Sequence, residues 1–409
     1  MIVGFRQGEE ARDRHGRIAR GGVEITAPSR LHFGLFSWGN PGRRFGGVGV
    51  MIEPPGLRIV VETRPESNEE ADDLVEWGTA RGGQGEEPED TTTGRGGRVV
   101  VDPLLAETFE RIAEARRRWT LFHGLPTGPP LRWRIFDAPP RHAGLGSGTQ
   151  WGLSVAAALD VLSGRAIGLV GGSDANQRAE AACRIREQWV REAAASVGRG
   201  LRSAIGAYGF ALGGCLIEPG KMADETLSPL ERRFAVPDDW RFVLVRPRIT
   251  AETSTAGLHG AAERQAFARL PPVPNAVTER LREIALKRLA PAVERADCAA
   301  FGDAVYEYGV VAGNCFAPVQ GGPFNGPVLA ELVARMRALG ARGVGQSSWG
   351  PTLFAVLPNE MEAASFAQAI AAESCVPVDV RVAVPNNQGA AIRQRVFEES
   401  VSSERSLGR

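Results

Sequence analysis

An α+β fold is compatible with three features of this 409-residue sequence. Strand patterns prevail in its first part, helix patterns prevail from about residue 250, and a strand–helix–strand pattern closes it. The length allows two or three domains with a sizeable core.

In chain order, residues 1–20 are charged and glycine-containing, and are expected to form a flexible tail. "VEITAPSRLHFGLF" (23–36) reads as strand, turn, strand, and "GLRIVVETR" (56–64) as a strand rich in β-branched residues. Residues 65–97 are acidic, Gly/Thr-rich and nearly devoid of aliphatics, which predicts a surface excursion. "DPLLAETFERIAEARRRW" spaces Leu104, Leu105, Phe109, Ile112 and Ala113 as a helix does, with Asp102 as N-cap and Pro103 at its first position. "LRWRIFDAPP" (131–140) is a strand stopped by its prolines. "TQWGLSVAAALDVLSG" (149–164) reads as a buried helix. A second helix follows, capped by Ser173 or Asp174. "GFALGGCLIEPGK" (209–221) and "WRFVLVRP" (240–247) read as strands. Helices are then expected at 259–269, 274–290, 298–312, 327–339 and 360–373, with strands at 352–358 and 378–385. The tail from residue 393 reads as loose. The resulting division is 21–235, 236–395 and a flexible 396–409.

Composition excludes several classes. Lys plus Arg and Asp plus Glu number 48 each, so no net field favours nucleic acid. The five cysteines (183, 215, 298, 315, 375) are scattered and never form CxxC, which argues against a disulfide framework or zinc knuckle and for a reducing cytoplasm. No apolar run approaches the roughly 20 residues that span a bilayer, and the N-terminus lacks a signal peptide's apolar region. A cytoplasmic protein with no membrane or nucleic-acid partner is expected.

The chemistry starts at "AGLGSGTQ" (143–150), which lies between a predicted strand and a predicted helix. A helix's first turn leaves N–H groups without partners and carries partial positive charge, and glycines let the backbone close on an oxygen-rich ligand. Ser147 and Thr149 add hydroxyls for phosphate oxygens or a chelated Mg²⁺, though Thr149 could equally be an N-cap. GxxxxGK[ST] is absent. A dinucleotide GxGxxG would need glycine where Thr149 stands.

Three segments together resemble the GHMP superfamily of galacto-, homoserine, mevalonate and phosphomevalonate kinases. They are "APSRLHFGL" (27–35), "AGLGSGTQ", and "GVGQSSWGPTLFAVL" (343–357). The resemblance implies an N-terminal half like ribosomal protein S5 domain 2, a ferredoxin-like C-terminal half, and a site in the cleft between them. It also makes a homodimer an expected state.

GHMP kinases that use a base place a carboxylate just after the second helix, yet no Asp or Glu lies between Gly198 and Ile217. Some superfamily kinases lack it too. "GRGLRSAIG", "GLHGAAERQAF", "AGNCFAPVQGG", "GVGQSSWGPT" and the opening "PSRLHFGL" are instead similar to segments of the β-ribofuranosylaminobenzene 5′-phosphate synthase family. That family joins the ribosyl group of phosphoribosyl pyrophosphate to the ring carbon of 4-aminobenzoate or 4-hydroxybenzoate, with loss of CO₂ and pyrophosphate, early in tetrahydromethanopterin synthesis.

The reaction so implied needs donors and a metal aimed at departing phosphate more than a base. Gly144, Leu145, Gly146, Ser147, Gly148 and Thr149 are the expected phosphate cradle. Arg30, at the position of the superfamily's motif lysine, and Arg199 are further phosphate ligands. Arg202, His32 and Gln346 are the catalytic candidates. Phe316, Trp349, Gln320 and Ser347 are expected to face the aromatic substrate. Ser147 and Glu192 are expected at Mg²⁺. Competing readings are a core histidine for His32, an exposed His142, a surface ion pair for Glu263 and a solvated helix face for Glu192. Two alternatives to the pentosyltransferase stay open: an ATP-dependent GHMP kinase and a non-catalytic GHMP-fold binding protein.

Overall fold

A computed structural model describes residues 20–64, 73–78, 103–165, 179–248 and 260–397. Residues 1–19, most of 65–97, the Asp102, Ser173 and Asp174 caps and residues 398–409 lie outside the described residues.

The chain opens with two long antiparallel strands, β1 (Arg20–Ser37) and β2 (Phe45–Thr63). The expected turn inside 23–36 is absent: β1 is one strand whose register against β2 slips at Pro28/Ser29 and again at His32/Gly34. Those Pro and Gly residues are accommodated as bulges, because the partner is irregular at matching places. Opposite the first slip, Pro54 and Pro55 have no N–H to donate, and β1 skips from Gly56 to Ile52 across them. The same break divides β2 between two partners. Its first half pairs with β5 (Cys215–Glu218) and its second half with β4 (Leu131–Asp137).

One face of this sheet is covered by α1 (Pro103–His123), α2 (Ser147–Leu162), α3 (Ala179–Ser196) and α4 (Ile205–Leu212). Their core joins Ile25, Ile59 and Trp133 of the sheet to Leu153, Val190 and Phe210 of the helices. Residues 209–212, expected as strand, form the end of α4. "GFAL" is a short apolar run with no period of its own, and every residue of α4 is buried.

The 65–97 excursion also needs correction. Within it, β3 (Leu74–Trp77) pairs in parallel with β4. Asp73 forms a buried ion pair with Arg116 and accepts hydrogen bonds from Leu131 N–H (2.9 Å) and Trp133 Nε1 (3.1 Å). Asp73→Ala would leave the buried Arg116 guanidinium without a counter-charge, though still bonded to the Gly128 and Pro129 carbonyls, and two donors unmatched, so a loss of about 3 kcal/mol is expected. Denaturant unfolding checks it, and a change under 1 kcal/mol would return this segment to the surface.

The second half contains β6 (Arg232–Phe234), beside β5, then β7 (Arg241–Pro247) and helices α5 (Gly260–Arg269) and α6 (Asn275–Glu283). A π-helical stretch, Ile284–Leu289, carries α6 into α7 (Ala290–Glu294). The widened turn falls just before Pro291, which has no N–H for the ladder. Then come α8 (Cys298–Asn314), the short α9 (Ala317–Gln320), α10 (Gly326–Ala338), β8 (Gly343–Gln346), β9 (Leu353–Leu357), α11 (Glu360–Glu373), β10 (Val378–Pro385) and β11 (Ala391–Phe397). Strands β10-β7-β9-β8 lie in that order, all antiparallel, with α8 and α11 as crossovers. This is the split βαβ order of a ferredoxin-like half.

Two returns tie the halves together. β10 meets β2 at Val384–Glu53 and Pro385–Ile52, and β11 lies along β1 from Thr26 to Arg20. The chain from residue 393 is therefore not loose as far as Phe397. Glu24 holds Arg395 across this pair, and charged side chains suit an edge strand.

Candidate active site

Between β4 and α2 the glycine loop turns on two left-handed residues, Gly144 (φ 79°) and Gly146 (φ 72°). A Cβ on Gly144 would stand 2.2 Å from the Ser347 carbonyl oxygen, so only glycine fits there. Gly146 is the N-cap of α2, and no side chain caps the helix. Thr149 and Gln150 N–H donate to the Gly146 carbonyl (3.0 and 3.2 Å), which leaves those of Ser147 and Gly148 at the edge of a cavity of about 430 Å³ lined by Gly144 to Thr149. No hydrogen bond from another described residue engages the Ser147 or Thr149 hydroxyl. Leu145 contributes an anchor: its side chain is buried and its carbonyl accepts the Arg30 N–H at 2.9 Å.

An arginine flanks the loop on each side. Cβ positions built on Gly146 and Gly148 would lie 3.2 Å from Arg30 and 3.3 Å from Arg199 Nη1. Arg30 Nη2 donates to the Gly144 carbonyl (3.3 Å), while its Nε and that of Arg199 are buried without a partner among the described residues. Burial depresses the Arg30 guanidinium to about 10, against the pull of Glu263 and Glu218. Arg199 is lowered by burial and by the like charges of Arg111 and Arg118. Buried cations short of carboxylates mark a place for an anion. Arg111, on α1, also lines the cavity. The sequence reading missed it, because its place beside Ile112 in the helical pattern says nothing about what lies opposite.

The opposite wall is aromatic. Trp349 meets Phe316 at 4.5 Å and Phe267 at 5.8 Å between ring centroids, and Arg202 lies 5.4 Å over the Phe267 ring. Phe316 and Trp349 line the cavity; Phe267, in "GLHGAAERQAF", supports them from behind. Arg202 is ion-paired with Glu263, the only Asp or Glu among the described lining residues. Burial raises the Glu263 pKa despite Arg202, Arg30 and the Trp349 side chain, which pull it down.

Several expected ligands are already engaged. Ser347 does not line the cavity: it is fully buried, donates to the Gly144 carbonyl (2.8 Å) and accepts from His32 N–H (3.1 Å). Gln346 donates to the Ser348 carbonyl and accepts from Asn325 N–H, so both ends of its amide hold backbone. Gln320 donates to the Gly313 and Gly322 carbonyls. These glutamines line the cavity while bracing its walls.

His32 is buried, with both ring nitrogens in use. Gly34 N–H donates to Nδ1 (3.2 Å), so the proton sits on Nε2, which donates to Ser203 Oγ (3.0 Å). Burial, aided by Arg30, keeps this imidazole neutral by driving its pKa well down. Ser203 donates in turn to Glu218 Oε1 (2.6 Å), which also accepts Ala204 N–H (2.7 Å). Glu218 is the first carboxylate after the acid-free stretch and reaches the site from beneath, a role that sequence distance hides. His142 lines the rim with φ 52°.

Glu192 belongs elsewhere. Its side chain is 54% exposed, paired with Arg165 and near His123, beyond the C-terminal end of α2. Ser147 starts that 16-residue helix, so the two lie roughly 20 Å apart along it and cannot share an ion. No group of three metal-binding His, Cys, Asp or Glu side chains occurs among the described residues. An ion bound at this loop would need phosphate oxygens for most of its ligands, with Ser147 Oγ as the protein's contribution.

A glycine loop at a helix start, set in the cleft between these two α/β halves, is the arrangement of the GHMP fold. The family model for the C-terminal domain of GHMP kinases matches residues 289–376. Among solved structures, mevalonate pyrophosphate decarboxylase from Streptococcus pyogenes covers 91% of this chain and 99% of its own, with TM-score 0.56 and 10% identity. A mevalonate kinase covers 89% and 99%, with TM-score 0.52 and 11% identity. In sequence the chain is similar to the β-ribofuranosylphenol 5′-phosphate synthase of Methanothermobacter thermautotrophicus, at 28% identity over 346 residues, 81% of this chain and 88% of that one. The Methanocaldococcus jannaschii protein of the same name is 24% identical over the same shares. No helix among the described residues is long and apolar enough to cross a membrane.

Proposed function

We propose that this enzyme transfers the ribosyl 5-phosphate group of phosphoribosyl pyrophosphate to the carboxyl-bearing ring carbon of 4-hydroxybenzoate, releasing CO₂ and pyrophosphate. The observation that carries the reading is that a phosphate cradle and an aromatic wall share one cavity with four arginines, Arg30, Arg111, Arg199 and Arg202. The arginines suit a polyphosphorylated sugar, and the aromatic wall suits the ring of a benzoate. The phenol in the relatives' name favours the hydroxy acid over 4-aminobenzoate.

The first-turn N–H groups of α2, Arg30 and Arg199 receive the pyrophosphate, and Arg111 extends the positive wall. Ser147 Oγ would help hold Mg²⁺ brought in with the pyrophosphate, which would supply neutralising charge to the leaving group. As the C–O bond at the ribose lengthens, these fixed donors gain strength, which is where a preorganised site acts. Phe316 and Trp349 hold the ring face and exclude water. Loss of CO₂ restores aromaticity, so no base is needed at that carbon. The product suits an early step of tetrahydromethanopterin synthesis in the cytoplasm.

The test is release of labelled CO₂ from carboxyl-labelled 4-hydroxybenzoate, and separately 4-aminobenzoate, with phosphoribosyl pyrophosphate and Mg²⁺, and with ATP as control. Release that requires phosphoribosyl pyrophosphate is expected, faster with the hydroxy acid. Silence with both acids in folded protein would return the loop to ATP and put a kinase first.

A further inference from the structure

We propose that Glu263 is a catalytic residue that accepts the hydrogen of the acceptor ring's para hydroxyl as the ring carbon attacks the ribose. The proposal rests on the pentosyl-transfer reading above and adds the group that activates the nucleophile.

Glu263 is the single carboxylate lining the cavity among the described residues, and it stands on the aromatic side. Arg202 fixes it through their ion pair, and Arg202 is itself seated over Phe267, the ring packed edge-on against Trp349. The other polar side chains on this wall are committed to backbone: Gln320 and Gln346 to carbonyls of their own loops, Ser347 to the glycine loop. A phenol set against Phe316 and Trp349 therefore finds one carboxylate among the described lining residues, and of the acceptors there only a carboxylate can take its hydrogen. Burial makes that acceptor more basic than an ordinary carboxylate, as a group taking a phenolic hydrogen must be.

The electrons balance without another reagent. The ribose C–O bond breaks and its pair leaves with pyrophosphate, while a ring π pair forms the new C–C bond. The cationic character this gives the ring is drained by the para oxygen as its hydrogen passes to Glu263. The bond to the carboxylate then breaks, its pair re-forms the aromatic ring, and CO₂ departs. Glu263 returns the hydrogen to the phenol. The carboxylate's negative charge has moved to pyrophosphate, and no net proton is exchanged.

The experiment compares full-length wild type with Glu263→Gln, which can still hydrogen-bond Arg202 but cannot take a proton. With 4-hydroxybenzoate, kcat is expected to fall at least 100-fold while KM for phosphoribosyl pyrophosphate changes less than threefold. With 3-fluoro-4-hydroxybenzoate at alkaline pH, where the more acidic phenol is already ionised, the deficit is expected to shrink at least tenfold. Equal deficits with both phenols, or a variant affected only in KM for phosphoribosyl pyrophosphate, would overturn the proposal and assign Glu263 to the ribose. Calorimetric binding of 4-hydroxybenzoate against benzoate, with inorganic pyrophosphate present, separates the two ideas. Tighter binding of the phenol that depends on Glu263, in an enzyme that releases no CO₂, would sink the transfer reaction and keep the hydrogen-bond site. CO₂ release undiminished in the variant would sink the proposal alone.

Discussion

Arg30→Met is expected to lower kcat/KM for phosphoribosyl pyrophosphate by about 100- to 1,000-fold, equivalent to about 3–4 kcal/mol of transition-state binding, without lowering the melting temperature. The two effects have one cause. Arg30 is largely buried, gives one long hydrogen bond to Gly144 and has its Nε unmatched among the described residues. In the ligand-free protein it is a charge removed from water without full return. Methionine keeps the aliphatic bulk beneath Gly146 and removes that charge, so the fold should hold or gain stability. Only a bound anion repays the burial, and it is lost with the guanidinium. Steady-state kinetics beside thermal melting checks this. A variant that melts well below wild type while its surviving fraction keeps normal KM would show that Arg30 serves the fold.

Glu218 should make the stability of the fold depend on pH. Its carboxyl is fully buried beneath Ser203, and burial raises its pKa against the hydrogen bonds that lower it. The folded protein therefore keeps this proton over a pH window, above the ordinary carboxylate value of 4.5, in which the unfolded chain has lost it. Stability from this group is fully present below that value and declines as pH rises through the raised pKa, by at most about 1.4 kcal/mol per pH unit. Glu218→Gln keeps an acceptor for Ser203 and Ala204 and cannot ionise. Its stability relative to wild type should rise as pH climbs above the ordinary carboxylate value of 4.5, measured by denaturant unfolding. Glu218→Ala, which strands both donors, should cost about 2–4 kcal/mol at every pH. Parallel pH curves for wild type and the glutamine variant would mean that Glu218 titrates no differently once folded.

What the sequence shows most plainly is what its own neighbours dictate. The strand–glycine loop–helix from Leu131 to Leu162 is legible because prolines end the strand, glycines permit positive φ and an apolar helix follows. Helix α8 and the closing β9-α11-β10 are legible for the same kind of reason. Features set by partners distant in sequence are not. Strand β11 carries arginines and glutamine, and is fixed by main-chain pairing with β1, by the Glu24–Arg395 pair and by buried Ile392. Residues 209–212 read as strand until helices α2 and α3 are seen to enclose them.

The candidate site divides in the same way. Its glycines, Arg30, Arg199, Arg202, Phe316 and Trp349 do converge on one cavity. Ser347, Gln346 and Gln320 look like ligands in "GQSSWG" and "PVQGG" but are spent on nearby backbone. Which backbone group faces a side chain is not written beside it in the sequence. Ser203 and Glu218 were missed for the converse reason: each looks ordinary until the fold sets one against the other.

Ser347 has a consequence for how the enzyme comes into being. Its one hydroxyl joins the His32 amide, 315 residues earlier, to the Gly144 carbonyl, 203 residues earlier, and Gly350 packs directly on Gly144. The loop's shape is thus completed by a segment made when more than four-fifths of the chain already exists. A nascent chain that has folded its first sheet and helices holds the glycines but not the geometry. The finished loop arrives late in synthesis, as a mark that the segment around Ser347 and Gly350 has docked.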